Sequence, residues 1–273
     1  SEMCIRDRCI CTGIVSAIDH HAKDSLLLQL KHTTVSAQRI SIYRNLADIC
    51  FETPDEKTYL LGMYREAKKA GDTPMMLDAL NDLACGEAKE YRMDSAYHYM
   101  NLIKATHNVK EIIPLSAYLH MRFFDVLCSH NETEEAIAKE LQFTEEKKSD
   151  APSLYSKIVQ AYITGSSLHS NEMMKEALPY LETAMNLSKQ LPPEKRIKFV
   201  SMIVWKLSNI YSFLNECDSA IRLLEEDLEN QQLYYKDHYK AKRPFYNLAA
   251  RELQIYASLL TNAIMVAPEK MDY

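Results

Sequence analysis

Glycine is scarce in this sequence, with five residues in 273, where an average protein carries roughly 7%. The five are scattered along the chain and never adjacent: Gly13, Gly62, Gly71, Gly86 and Gly165. Tight hairpin turns and phosphate-binding loops need clustered residues that tolerate a positive φ. The composition therefore argues against a dinucleotide-binding domain, a P-loop or a β-sandwich.

Basic blocks and long apolar runs are missing as well. The formal net charge is −6, and acidic and basic residues are mixed along the chain without a basic cluster that would follow a phosphate backbone. We therefore expect no nucleic-acid binding by this segment. No run approaches the roughly 18 apolar residues that span a bilayer.

Sequence motifs for metal binding and covalent catalysis are also absent. The seven cysteines contain no CxxC pair, which favours buried thiols over a disulfide or metal framework. No HExxH or GxSxG motif occurs, and the nine histidines match no ligand spacing. We predict no catalytic residue, no metal and no cofactor, and hence a protein that is not an enzyme.

Helical periodicity dominates what is present. Apolar residues fall three, one and three positions apart along a single stripe at Leu207, Ile210, Tyr211 and Leu214. Helix-start signals recur, with Thr53 before Pro54 and a capping-box glutamate at Glu56. Thr73-Pro74 and Pro192-Pro193 predict two further starts.

A weak internal repeat organises these helices. A small residue is followed twelve positions later by alanine in three copies, two of which match the pattern well and one fairly: Ala84 with Ala96, Gly165 with Ala177, and Ser208 with Ala220. Looser copies surround Ala47 with Tyr59 and Phe124 with Ala136. The positions 59, 96, 136, 177 and 220 are 37, 40, 41 and 43 residues apart.

This pattern resembles the tetratricopeptide repeat over about residues 35–265, although the standard unit has 34 residues. HEAT repeats, at about 40–47 residues, are the competing solenoid, but the small-residue to alanine phase favours the tetratricopeptide form. The resemblance implies an all-α, right-handed superhelical solenoid of antiparallel helix pairs. Phe124, Glu140 and Tyr59 depart from the repeat pattern.

The degenerate repeats are most similar to the sensor regions of bacterial transcriptional regulators and histidine kinases. That similarity implies a non-catalytic scaffold that binds a protein or peptide in a signalling protein. The alternatives are a secreted solenoid that binds a small ligand or glycan and, less favoured, an all-α enzyme. Self-association through an exposed C-terminal repeat near Tyr256–Ile264 is a further expectation.

The resemblance also implies a binding groove lined by the first helix of each pair. The residues three before and one after each small position then face the partner. The candidate partner-binding residues are Arg44, Asn81, Met121, Asp125, Tyr162, Trp205 and Asn209. If the register is shifted by one residue, Met121, Tyr162 and Trp205 are core residues instead.

The two ends differ from the repeats. Residues 1–17 are interpreted as a stub: the first eight resemble translated adapter sequence, and Cys9–Ala17 is an apolar run that closes like a signal-peptide cleavage site. Residues 18–273 then form the repeat domain, with the last repeat cut short. A signal stub places the protein in the periplasm or linked to a membrane, and the alternative is the cytoplasm.

Overall fold

The computed structural model describes residues 20–51, 53–106, 109–132 and 153–238, with positions 134 and 138. In these ranges the chain is all-helical, with ten helices and no strand, which confirms the predicted all-α class. The helices are α1 His20–His32, α2 Ser36–Ile49, α3 Pro54–Ala70, α4 Thr73–Lys89, α5 Met93–Lys104, α6 Val109–Ser129, α7 Leu154–Ser170, α8 Met174–Ser188, α9 Pro193–Phe213 and α10 Cys217–His238.

Helix α3 begins where the sequence predicts, but not by the predicted contact. Pro54 is the first helical residue and Thr53 precedes it in an extended conformation. The Thr53 hydroxyl donates to the Cys50 carbonyl at 2.7 Å instead of accepting a backbone N–H of α3, so the predicted capping box is wrong. Gly71 ends the helix at φ 70°, in the left-handed region that glycine tolerates best.

Three other helices begin at a capping side chain or a proline. Asp72, not Thr73, caps α4, because its Oδ1 accepts the Met75 N–H at 3.2 Å. Ser153 caps α7 by accepting the Ser156 N–H at 3.2 Å. Pro193 opens α9, as the paired prolines predict.

The chain divides into two compact units, Ser1–Ala79 and Leu80–Tyr273. In the first unit α1 packs on α2 and α2 on α3. Arg39 joins these three helices, since its guanidinium pairs with Glu66 at 2.8 Å and donates to the Leu30 and Thr33 carbonyls at 3.0 Å. The small core of this unit contains Ile40, Met63, Ala67 and Ala79.

In the second unit each described helix from α5 to α9 packs on the next described helix, and α9 also contacts α6 and α7. One continuous hydrophobic core runs through α6 to α10. Its fully buried members include Ala117, Ile158, Leu181, Ile203 and Ile210.

In these three copies the small residues Ala84, Gly165 and Ser208 are buried, as the repeat pattern predicts. The alanines at 96, 177 and 220 are completely buried. At Gly165 a Cβ would lie 2.7 Å from Leu181 Cγ, so α7 and α8 approach too closely there for any side chain.

The loose copies show how the pattern degenerates. Phe124 is fully buried although its position calls for a small residue. Tyr59, at an alanine position, is half-buried and its ring centre lies 6.0 Å from Lys23 Nζ. Residues 1–17, Ala136, Glu140 and the C-terminal segment Tyr256–Ile264 lie outside the described residues.

Two other expectations concern cysteines and membranes. Of the four cysteines in the described ranges, Cys50 and Cys217 are buried, Cys85 and Cys128 are half-buried, and none forms a disulfide. Within the same ranges, no helix combines the length and apolar character that a bilayer span needs.

Candidate functional site

Three of the seven candidate groove residues are buried in the structure. Met121 and Tyr162 are 0% exposed, and Asn81 is also buried. None of the three can contact a partner at the surface. Met121 and Tyr162 belong to the core of the second unit, which is the alternative that an off-register assignment predicts.

The two candidates nearest the N-terminus contact neighbouring carboxylates. In the first unit the half-buried Arg44 guanidinium lies 3.2 Å from an oxygen of Asp48 and 3.2 Å from one of Asp78. In the second unit Asn81 Nδ2 donates to Asp82 Oδ1 at 3.2 Å. Both contacts are internal to their own unit.

Two predicted residues, Asp125 and Tyr162, do meet, although not as parts of an open groove. The Tyr162 hydroxyl on α7 donates to Asp125 Oδ2 on α6 at 2.6 Å. Lys206 Nζ on α9 lies 3.3 Å from Asp125 Oδ1. The carboxylate of Asp125 therefore links three helices. We call these three residues the Asp125 network, together with Arg122 and His169, whose pKa values respond to the Asp125 charge.

The environment of the Asp125 network shifts the pKa values of Tyr162 and His169. Burial, and then the adjacent Asp125 charge, raise the pKa of Tyr162 well above its usual value, so the phenol stays a hydrogen-bond donor. Burial, followed by the Lys206 charge, lowers the pKa of His169 to about 4. The imidazole is therefore neutral at pH 7, and its Nε2 is buried without a hydrogen-bond partner.

Arg122 lies one turn before Asp125 on α6 and is half-buried. Its neighbour Tyr118 raises the pKa of Arg122, and Cys85 and Asp125 add to that effect, while burial opposes it. The guanidinium is therefore permanently charged. The sequence pattern does not predict Arg122 or Lys206 as site residues, because neither occupies a groove position of the repeat.

The two remaining candidates lie on the surface of α9. Trp205 is 36% exposed and Asn209 is exposed one turn later. Phe213, which the repeat register does not mark, follows after another turn and is 59% exposed. Residues four apart share a helix face, so Trp205, Asn209 and Phe213 form one row, which we call the α9 strip.

The α9 strip combines two exposed aromatic rings with an amide. Large aromatic side chains supply most of the binding energy at protein interfaces, and an amide adds directional hydrogen bonds. Lys206 directly follows Trp205, so the Asp125 network and the α9 strip share one helix. In the ranges that the structure describes, no group of three or more histidine, cysteine, aspartate or glutamate residues is placed to hold a metal ion.

No protein-family profile, curated protein or solved structure matches this chain.

Proposed function

We propose that the chain is a non-catalytic, tetratricopeptide-like scaffold that binds a protein or peptide segment along the α9 strip. The observation that carries the proposal is the exposure of Trp205 and Phe213 on either side of Asn209 on one helix face. An exposed row of this length matches two to three turns of a bound helix or several residues of an extended peptide.

The repeat architecture is the second part of the proposal. The small-residue to alanine phase, the sequential packing of α5 to α9 and the close approach of Gly165 to Leu181 support stacked helix pairs. A right-handed superhelical solenoid is the arrangement that we propose for them. A crystal structure with helix pairs that do not stack in a consistent direction would contradict it.

The sensory region of a bacterial signalling regulator is the role that we propose for this scaffold, on the sequence resemblance alone. A periplasmic or membrane-linked location goes with that role and also stays a prediction. Self-association through the C-terminal repeat likewise stays a prediction.

The binding proposal is tested with a random-peptide phage library selected on the purified chain. Affinity of a selected synthetic peptide is then measured by fluorescence polarisation. Trp205→Ala should weaken binding by about 2 kcal/mol, roughly 30-fold, because aromatic anchors dominate interface energies. Trp205 is also partly packed against the protein, so circular dichroism must first show that the variant is folded.

Asn209→Ala provides a second variant that leaves the core untouched, and it should weaken binding by about 1 kcal/mol through a lost hydrogen bond. Tyr180→Ala is the matched control, since Tyr180 is an aromatic residue of α8 that is 45% exposed. Equal affinities for wild type, Trp205→Ala and Asn209→Ala would show that the α9 strip does not bind the peptide.

A secreted solenoid that binds a small ligand or glycan is the second candidate function. The observation in its favour is the Asp125 network, where charged and polar groups from three helices converge. The chemistry of that cluster decides what kind of ligand it suits.

A further inference from the structure

One face of helix α1 is exposed and has a leucine at its centre. The helix packs on α2 in the first unit, and none of its own residues is fully buried. Leu26 and Leu30 lie one turn apart and are half-buried, whereas Leu28, on the opposite side of the helix, is 57% exposed. The outer face of α1 therefore presents an apolar side chain to solvent near the middle of the helix.

Two opposite charges flank this leucine on the exposed face. Asp24 lies one turn before Leu28 and Lys31 about one turn after it, and both are exposed. At about 100° per residue, both charges lie on the same side of Leu28, about 40° and 60° around the helix from it. They are about 10 Å apart along the helix axis, which is too far for them to pair with each other. Among the residues that the structure describes, neither forms an ion pair.

A helix with this order of charges is complementary to a second copy of itself in the antiparallel orientation. A two-fold axis beside Leu28 places Leu28 against Leu28, and Asp24 of each copy then faces Lys31 of the other. The contact has two ion pairs, one on each side of an apolar centre. A parallel pair would instead bring Asp24 against Asp24 and Lys31 against Lys31, which is repulsive. The charges therefore favour one partner, a second copy, in one orientation.

We propose that the outer face of α1 is a homodimerisation surface, on which two copies of the chain pack α1 against α1 in antiparallel orientation about a two-fold axis beside Leu28. One helix pair buries less than the roughly 1,200 Å² of a stable interface, so the dimer is weak, with a Kd on the order of 100 µM. The surface involves neither the α9 strip nor the C-terminal segment Tyr256–Ile264, for which the sequence predicts self-association.

The test measures the monomer–dimer Kd of the full chain by sedimentation equilibrium at low ionic strength, over protein concentrations on either side of the expected Kd. Leu28→Asp places two carboxylates at the two-fold axis and should raise the Kd by about tenfold or more, since like charges in contact oppose association. Because Leu28 is exposed, the far-UV circular dichroism of this variant should match that of wild type.

A charge exchange tests the orientation of the two helices. Asp24→Lys and Lys31→Asp, each made alone, turn both ion pairs into repulsive contacts and should raise the Kd by about tenfold. The double variant Asp24→Lys/Lys31→Asp forms both pairs again with the signs exchanged, so its Kd should return to that of wild type. Lys175→Asp is the matched control: it makes the same charge change at an exposed position of α8, and its Kd should equal that of wild type.

Three results would overturn the proposal. The first is a wild-type chain that stays monomeric at every concentration. The second is a dimer whose Kd does not respond to Leu28→Asp, which would place the interface elsewhere, for example in the C-terminal segment. The third is a double variant that associates no better than the two single charge variants, which would exclude the antiparallel pairing. If Leu28→Asp does not fold, the charge exchange still decides the question, because Asp24 and Lys31 are exposed.

Discussion

Acid should weaken the fold through His169. Burial, and then the Lys206 charge, lower the pKa of this imidazole to about 4 in the folded chain, while Asp125 opposes the shift. In the unfolded chain its pKa is near 6.5. Above pH 6.5 the ring is neutral in both states, so it adds no pH dependence. Between those two values only the unfolded state takes up the proton, and stability is lost as the pH falls.

The magnitude follows from the two pKa values. One pKa unit corresponds to about 1.36 kcal/mol, so the full penalty is about 3 kcal/mol well below pH 4. At about pH 4.5 the penalty is already about 2 to 3 kcal/mol. Part of any acid destabilisation comes from carboxylates, and a variant that cannot titrate at this position separates the two contributions.

The assay is urea unfolding followed by far-UV circular dichroism at about pH 7.5 and about pH 4.5. Wild type should lose about 2 to 3 kcal/mol more unfolding free energy than His169→Asn between these conditions. His98→Asn, at an exposed position of α5, is the control and should follow wild type. If His169→Asn loses as much stability in acid as wild type, the imidazole is not held neutral in the folded chain.

Four further substitutions test packing and the Asp125 network in the same unfolding assay. Gly165→Ala should lower the free energy of unfolding by about 1 to 3 kcal/mol, because the added Cβ overlaps a leucine of α8. Gly86→Ala is the control: its Cβ meets nothing within 4 Å, so it should stabilise α4 by about 0.5 to 1 kcal/mol. Equal effects of the two glycine changes would contradict the close helix contact. Tyr162→Phe should cost about 2 kcal/mol, since it removes a hydrogen bond to the Asp125 carboxylate, and a silent change would mean that the bond does not form. Leu207→Ala should cost about 2 to 5 kcal/mol because Leu207 is buried, and a loss below 1 kcal/mol would show that α9 is misoriented.

Local chemistry made much of the fold predictable. The apolar stripe at Leu207 and Ile210, the start at Pro193 and the buried small residue at Gly165 depend on neighbours within one or two turns, or on a spacing that recurs. The capping details failed where two candidates compete at adjacent positions. Asp72 rather than Thr73 caps α4, and either residue type is a good cap, so the pattern alone does not choose.

The candidate site was less predictable because its contacts join distant helices. Tyr162 reads equally well as a groove aromatic or a core aromatic, and only its bond to Asp125 and its complete burial settle which it is. In the sequence Lys206 resembles any other charged helix residue, and only the packing of α9 on α6 reveals its contact with Asp125. Trp205 and Asn209 are exposed as a groove assignment requires, but their role in binding stays a prediction.

The bridge from Asp125 to Tyr162 and Lys206 has a consequence for cooperativity. In an array where each helix meets only its neighbours in sequence, terminal repeats fray one at a time. Here one carboxylate on α6 contacts side chains of α7 and of α9. Helix α9 also packs directly on α6 and α7, which are not its neighbours in sequence. Opening α9 therefore leaves the Asp125 carboxylate on α6 without its lysine partner, and we expect α6, α7 and α9 to open together rather than one after another.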